Sequence, residues 1–371
     1  MSRPRVLVLR GHNANPWDLR PWELLREDFD VSVLVTGSNR YDLEDLGLPV
    51  VRVKAVRDRM PKGRAGELAT LVPGDHYRDL ERHLTGADIV HSAELGVWFS
   101  GQPAALKEKL GFRLVLTVWE TIPFRDTFRA ARGRAYRRNA LAHTDLYLAA
   151  TERARRCLLL EGAAADRIEV SSPGVDLERF RAAVAEPASE HLIVSPGRLV
   201  WEKGHYDVLR AVATLRQRPR VLLVGAGPER ERLRRYAAEL GIGDRVEIRS
   251  VPYAEMPAVF ADASCVVLGS LPTPLWEEQF GMVLAEAMAA GAPILASTSG
   301  AIPEVVGRTA QLFAPGDWAE LARLLDDGPL ARPPGQREEH DPELVRRYSL
   351  EAAAGRLRDA YRRVLGSPIE R

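Results

Sequence analysis

Cysteine is nearly absent from this sequence: Cys157 and Cys265 stand alone in 371 residues. Two thiols so far apart support neither a disulfide framework nor a zinc site, so a reducing compartment is the expectation. Long apolar runs are missing as well. None approaches the ~18 residues needed to cross a bilayer. The opening "MSRPRVLVLRGHNANPW" holds too short an apolar run for a signal peptide. Nor is there an excess of charge of one sign. The 52 Lys and Arg meet 51 Asp and Glu for a net charge of +1, which removes the global electrostatic argument for a nucleic-acid partner. Only 5 of the basic residues are lysine, a bias that a GC-rich genome explains as readily as stability does. The expectation is a cytoplasmic protein that at most rests on a membrane face.

What is present is enough apolar material for two cores, with 46% hydrophobic and 28% charged residues. Short β-branched runs alternate with helical patterns, as in parallel α/β sheets. The first half offers "RVLVL", "VSVLVT", "PVVRV", "DIVH", "RLVLTV" and "DLYLAA" as strands. The second offers "HLIVSPG", "RVLLVG", "RVEIRS", "CVVLGS" and "PILAST". The most linker-like stretch is Arg181–Leu192, and Arg57–Asp75 reads as a loop. The C-terminal segment is helical, with Leu357, Ala360, Tyr361 and Leu365 on one face. Two doubly wound, Rossmann-like domains are expected, residues 1–180 and 181–345, closed by a helix over 346–371. Ligands of such sheets sit beyond the carboxyl ends of the strands, so two of them facing each other would make a cleft.

Three stretches carry chemistry. In "WEEQFGMVLAEAMAAGAPILASTSG", Gly281 opens a helix, and the amides of Gly281, Met282 and Val283 have no intrahelical acceptors. They form an anion site favoured by the helix dipole. Glu286 lies one turn in, among apolar neighbours, where a carboxylate needs a partner. The plainer reading is a helix-start glutamate or one paired with an arginine elsewhere. In "VSPGRLVWEKGHYDVL", Arg198 and Lys203 follow a strand that ends at Gly197. Lys203 stands at a helix N-terminus, against the dipole, as a bound anion would explain. Two solvated loop charges are the plainer alternative. The third, "VLLVGAGPERERL", imitates a dinucleotide fingerprint, but Arg230 stands where the third glycine belongs, which disfavours an oxidoreductase.

Together with "VPYAEMPAVFADASCVVLGS", "SSPGVDLERF" and the C-terminal "YSLEAAAGRLRDAYRRVL", these stretches resemble glycosyltransferase family 4 over most of the chain. The E-x7-E spacing from Glu278 to Glu286 is the most specific element. The resemblance implies a GT-B fold and a retaining transfer from a nucleotide-diphosphate sugar, with the last helix crossing back onto the N-terminal domain. It implies that Glu278 holds the donor sugar, Glu286 the ribose, and Arg198 with Lys203 the diphosphate, helped by the Gly281–Val283 amides. Gly197, Phe280 and Gly11 complete the implied donor-binding set. Arg198, Lys203 and Glu278 are the implied catalytic residues. No cofactor and no metal are expected, since these groups do a metal's work. The "DFD" at Asp28–Asp30 is read as a solvated turn.

The first half departs from the family pattern. Gly-Gly is common in the first loop of the family, but here the loop is Gly11-His12-Asn13-Ala14-Asn15. A His-Asp pair is common after a later strand, but here Trp119-Glu120 stands in that place. His12, His91, Glu94, Trp119 and Glu120 are candidates for the acceptor side. The six arginines between Arg125 and Ala142 read as a solvated helix, or as a surface for an anionic or membrane-bound acceptor. Rival readings are a nucleotide-sugar epimerase, a sugar phosphorylase, or a non-catalytic nucleotide-sugar-binding protein.

Overall fold

The computed structural model describes residues 2–60, 74–125, 131–182 and 189–366. Parts of the stretches 57–75, 125–142 and 181–192 singled out above lie outside the described residues. Contacts divide the chain into two compact units, Met1–Gly174 with Leu350–Arg371, and Val175–Ser349.

The first unit is built on a seven-stranded parallel sheet of order β3-β2-β1-β4-β5-β6-β7. Its strands are β1 (Arg5–Leu9), β2 (Asp30–Thr36), β3 (Val50–Val53), β4 (Ile89–Ala93), β5 (Arg113–Val118), β6 (Leu146–Ala149) and β7 (Ile168–Val170). Helices cover both faces, which is why these strands read as unbroken apolar runs rather than alternating ones. Successive side chains of β1 part to opposite faces. Leu7 and Leu9 enter the core with Phe112, Leu116 and Tyr147, while Val6 and Val8 enter the core with Trp22, Phe29 and Leu146.

The terminal helix Leu350–Gly366 packs on the second of these cores through Ala354, Leu357, Ala360, Tyr361 and Val364. Leu365, expected on that face, is 36% exposed instead. The buried stripe runs 357, 360, 361, 364, the i, i+3, i+4, i+7 series that leaves the next position at the rim. Arg358 and Arg362 of the same helix pair with Asp28 at 2.6 and 2.8 Å, so the first acid of "DFD" fastens this helix.

The second unit carries a six-stranded parallel sheet of order β10-β9-β8-β11-β12-β13. Its strands are β8 (Leu192–Pro196), β9 (Arg220–Val224), β10 (Val246–Arg249), β11 (Cys265–Leu268), β12 (Ile294–Ser297) and β13 (Gln311–Phe313). The unit's two chain ends meet: Val175 N donates to Tyr348 O at 2.8 Å. The short helix Leu177–Arg181 packs on the helices Met256–Asp262 and Met282–Ala289, so these residues fold with the second unit, ahead of the expected 180/181 boundary.

Strands β7 and β13 escaped the sequence reading. Each has three residues and pairs on one side only, too short for a periodic signal. In each sheet the chain winds outward both ways from one place, between β1 and β4 in the first and between β8 and β11 in the second. These are the topological switch points, where open α/β sheets hold their ligands.

Candidate functional site

At the switch point of the second sheet, the loops after β8 and β11 lie side by side because their strands are hydrogen-bonded neighbours. Gly204 is the tightest point of contact. It sits at φ 70°, and a Cβ there would overlap the carbonyl oxygen of Gly269. Leu271 N donates to Glu202 O at 2.7 Å across the same seam. This closeness brings together two residues that the sequence only suggested separately. Lys203 Nζ donates to Glu278 Oε2 at 2.6 Å, with the side chains 13% and 10% exposed. Ser270 Oγ donates to the same carboxylate oxygen at 2.7 Å, and the ammonium lies 4.9 Å from the centre of the Trp276 ring. Ser270 is braced in turn by Ser297, whose hydroxyl donates to its carbonyl at 2.6 Å. Glu278 is therefore a carboxylate with one oxygen doubly engaged, oriented by a cation and a hydroxyl.

Arg198 lies in the loop Gly197–Val200, is exposed, and has no carboxylate in ion-pair contact among the described residues. The loop is gripped from two directions. From one side, the chain after β9 presses on it so closely that a Cβ on Gly225 would overlap Gly197 O. From the other, buried His205 donates from Nε2 to Arg198 O at 3.2 Å and accepts at Nδ1 from Ser195 Oγ at 2.9 Å. A carbonyl can only accept, so the first contact fixes the neutral tautomer with its proton on Nε2. Burial, opposed by the Arg198 carbonyl and assisted by the nearby Lys203 charge, brings the His205 pKa down to about 4. The ring is neutral throughout the physiological range.

The helix Met282–Ala289 begins at Gly281, at φ 81°; Leu284 N turns back to Gly281 O at 2.8 Å, and the amides of Met282 and Val283 before it have no intrahelical acceptors. Met282 and Val283 are partly accessible there. Glu286 is 3% exposed and accepts from Tyr253 Oη at 2.7 Å. The Tyr253 ring is covered by the Arg179 guanidinium at 4.7 Å, and Arg179 also donates to the Tyr253 carbonyl at 2.7 Å. The buried carboxylate thus has a protein hydroxyl for a partner. Phe280, assigned to the donor pocket from the sequence, is packed edge-on against Tyr348 at 5.1 Å and is almost wholly buried.

The first-unit candidates differ in their surroundings. His91 is completely buried, held by Tyr361 Oη at 2.6 Å and Thr117 Oγ1 at 2.7 Å, with burial keeping it neutral. It is an interior residue and not a ligand of the acceptor side. His12 is engaged by Thr36 and Ser38 through Nδ1 and by Asp75 through Nε2, while Gly11 packs on the Phe99 and Trp98 rings. Glu120 pairs with Arg125 and accepts from the amides of Thr121 and Ile122, a closed local turn. Glu94 accepts from Trp119 N at 2.9 Å and is only partly buried.

Sequence reasoning missed Ser195, His205, Tyr253, Ser270 and Trp276. His205 follows Lys203-Gly204 directly, so its place beside the cationic loop was open to inference. Tyr253 carried no signal because its partner Glu286 is 33 positions on, and Ser270, eight positions before Glu278, is brought to that carboxylate by an irregular loop with no periodic pattern to read.

Two family profiles match, one described as "Glycosyl transferases group 1" over residues 176–328 and one as "Glycosyltransferase Family 4" over 22–179. The D-inositol 3-phosphate glycosyltransferase of Corynebacterium efficiens is 30% identical over 310 residues, which are 74% of this chain and 70% of that protein. The enzyme of the same name from Nocardia farcinica is 34% identical over 70% of this chain and 64% of its own length, so the chain spans less than two thirds of that relative. The 2-deoxystreptamine glucosyltransferase of Streptomyces kanamyceticus is 32% identical over 68% of this chain and 69% of that protein. Among solved structures, Anabaena HepE in complex with UDP and glucose superposes with a TM-score of 0.74 at 19% identity, covering 97% and 100% of the two chains. The sucrose-phosphate synthase of Thermosynechococcus elongatus gives 0.76 at 20%, covering 99% and 100%. At these identities the structures speak for the fold.

Proposed function

Because this chain belongs to glycosyltransferase family 4, enzymes of the two-domain GT-B fold, we propose that it transfers a sugar from a nucleotide diphosphate donor to a polyol of the cyclitol type, with retention of configuration. UDP-glucose is the donor we favour, because the HepE structures hold UDP, glucose and UDP-glucose. A cyclitol acceptor is favoured because relatives are named for inositol phosphate and 2-deoxystreptamine. The observation that carries the reading is the Lys203–Glu278–Ser270 group at the switch point of the second sheet, beside an exposed arginine and the open first turn of a helix.

Each part has a task in this reaction. Arg198, Lys203 and the first-turn amides of the Met282–Ala289 helix hold the diphosphate and stabilise the charge that grows on it as the glycosidic bond breaks. Glu278, oriented by Lys203 and Ser270, accepts hydrogen bonds from sugar hydroxyls. Its engagement by a cation lowers its nucleophilicity and argues against a covalent glycosyl-enzyme. The acceptor oxygen bonds to the anomeric carbon on the face the diphosphate leaves, and the departing phosphate oxygen takes the acceptor's proton. Glu286 and Tyr253 receive the ribose hydroxyls. Because fixed cations and amides serve the leaving group, we propose that turnover needs no divalent metal.

The test is a thermal-shift panel of UDP, GDP, ADP and dTDP on the wild type and Glu286→Ala, followed by UDP-glucose turnover with and without chelator. A ligand at about 100 times its Kd stabilises by about 2.7 kcal/mol. The expected result is a shift with UDP that Glu286→Ala loses, and turnover that survives EDTA. A panel with no nucleotide shift refutes the donor site.

A further inference from the structure

At the switch point of the first sheet stand two charged side chains with no ion-pair partner among the described residues. Arg10 follows β1 and Glu94 follows β4, and these strands are hydrogen-bonded neighbours. Several other carboxylates of this unit are matched, Glu120 by Arg125, Glu161 by Arg137, Asp145 by Lys107 and Arg113, while Asp18 is near enough to Arg10 for each to feel the other's charge without an ion pair. Arg10 spends one of its five N–H groups on the Leu9 carbonyl at 2.9 Å and lies over the Trp22 ring at 5.3 Å. It is close enough to Glu94 to feel its charge, yet the two form no ion pair.

The Glu94 backbone is held in the left-handed region at φ 65°, which a residue with a Cβ avoids unless its surroundings impose it. Two contacts from the end of β5 impose it. Glu94 N donates to Thr117 O at 2.9 Å, and Trp119 N donates to Glu94 Oε1 at 2.9 Å. The chain is bent out of strand geometry, and the side chain it carries there is a partly buried acid without an ion pair among the described residues. A neighbouring pair of hydroxyls on a ring supplies what both side chains lack, since each hydroxyl oxygen can accept from the guanidinium and each hydroxyl hydrogen can be donated to the carboxylate.

We propose that Arg10 and Glu94 form the acceptor subsite, gripping a vicinal diol of a cyclitol or sugar, with Glu94 accepting from its hydroxyls and Arg10 donating to their oxygens. The proposal rests on the acceptor reading above. It also gives that reading a pH dependence. Burial first, then the neighbouring Glu120 charge, raises the Glu94 carboxyl to about 7 against the pull of the Trp119 and Glu120 amides and of Arg125. The charged groups that face it are Arg10 from the end of β1 and Glu120 and Arg125 from the segment after β5. A carboxylate is the stronger hydrogen-bond acceptor, so acceptor capture improves as Glu94 loses its proton.

The experiment uses the whole chain, UDP-glucose, and myo-inositol, D-inositol 3-phosphate and 2-deoxystreptamine as acceptor probes, all of which carry vicinal hydroxyls. With the probe that the wild type glucosylates, Glu94→Gln and Arg10→Gln each raise the acceptor KM by about tenfold or more, with a smaller change in kcat. The wild-type kcat/KM for acceptor rises between about pH 6 and 8, and Glu94→Gln abolishes that rise. Glu94→Asp keeps the charge and gives an intermediate KM with the pH dependence intact. A cooperative melting transition near the wild-type Tm shows that the first unit of each variant is folded, and the UDP-induced thermal shift shows that the second unit is intact. An unchanged KM and pH profile in both glutamine variants overturns the subsite while leaving the transferase reading in place. A wild type that shows the UDP shift but glucosylates none of the three probes overturns the acceptor reading and the subsite together.

Discussion

Replacing Lys203 by Met removes the cation that both orients Glu278 and, in the proposed reaction, meets the diphosphate. The pair is 2.6 Å apart with side chains 13% and 10% exposed, so bulk-water screening does not apply in full. At an effective dielectric near 20, two charges ~3 Å apart attract by ~5 kcal/mol before desolvation is subtracted. Removing one member of a buried pair costs about 3–5 kcal/mol because the other charge is stranded. Ser270 still serves the stranded carboxylate, so the low end of that range, about 3 kcal/mol, is expected for Lys203→Met. Glu278→Gln keeps an acceptor for Ser270 and leaves the ammonium on the Trp276 ring, for about 1.5 kcal/mol. The double variant strands nothing and costs about 2.5 kcal/mol, giving a coupling energy of about 2 kcal/mol. With about 2–4 °C of Tm for each kcal/mol in a unit of this size, Lys203→Met lowers Tm by roughly 6–12 °C. Unfolding of the four proteins gives the stability cycle, and UDP-glucose turnover on the same samples gives the catalytic one. The double variant recovers part of the stability and none of the turnover. Additive single effects would refute the pairing, and recovery of turnover in the double variant would reduce Lys203 to a brace for Glu278.

Two further outcomes follow from buried groups. His205 has its pKa depressed from 6.5 to about 4, so between those values the unfolded chain binds a proton that the folded ring refuses. Its contribution is complete above pH 6.5 and is lost as pH falls toward 4, for roughly 3 kcal/mol. Urea unfolding across that window should show about one proton less taken up in His205→Gln than in the wild type. In the first unit, Trp22 Nε1 donates to Tyr361 Oη at 2.7 Å, and that hydroxyl meets His91 Nδ1 at 2.6 Å. Tyr361→Phe strands a buried donor and a buried acceptor, each worth about 1–3 kcal/mol, and so lowers Tm by several degrees without altering the UDP shift of the second unit.

The sequence was legible wherever the physics is local. Eleven of the thirteen strands among the described residues announced themselves as apolar runs, because a strand covered on both faces has little use for polar residues. The helix start at Gly281 could be read from one glycine before an apolar run, and the resemblance to a family rested on residues close together in the chain. Residue types at strand ends were also visible, but not their circumstances. His91 and Glu94 are three positions apart at the end of one strand and looked equally available. The fold turns the first inward onto Tyr361, from the far end of the chain, and leaves the second partly open on a left-handed backbone.

Pairings are where the chain alone fell silent. Lys203 and Glu278 are 75 positions apart and meet because β8 and β11 are neighbours in the sheet, although β9 and β10 come between them in sequence. Tyr253 reaches Glu286 over 33 positions, and Asp28 reaches Arg358 over 330. Local alternation and propensity determine what an element is, since they are set by a few consecutive residues. Which elements stand side by side is settled by the packing of whole sheets, and only that decides whether a buried charge is balanced by the protein or left for a ligand.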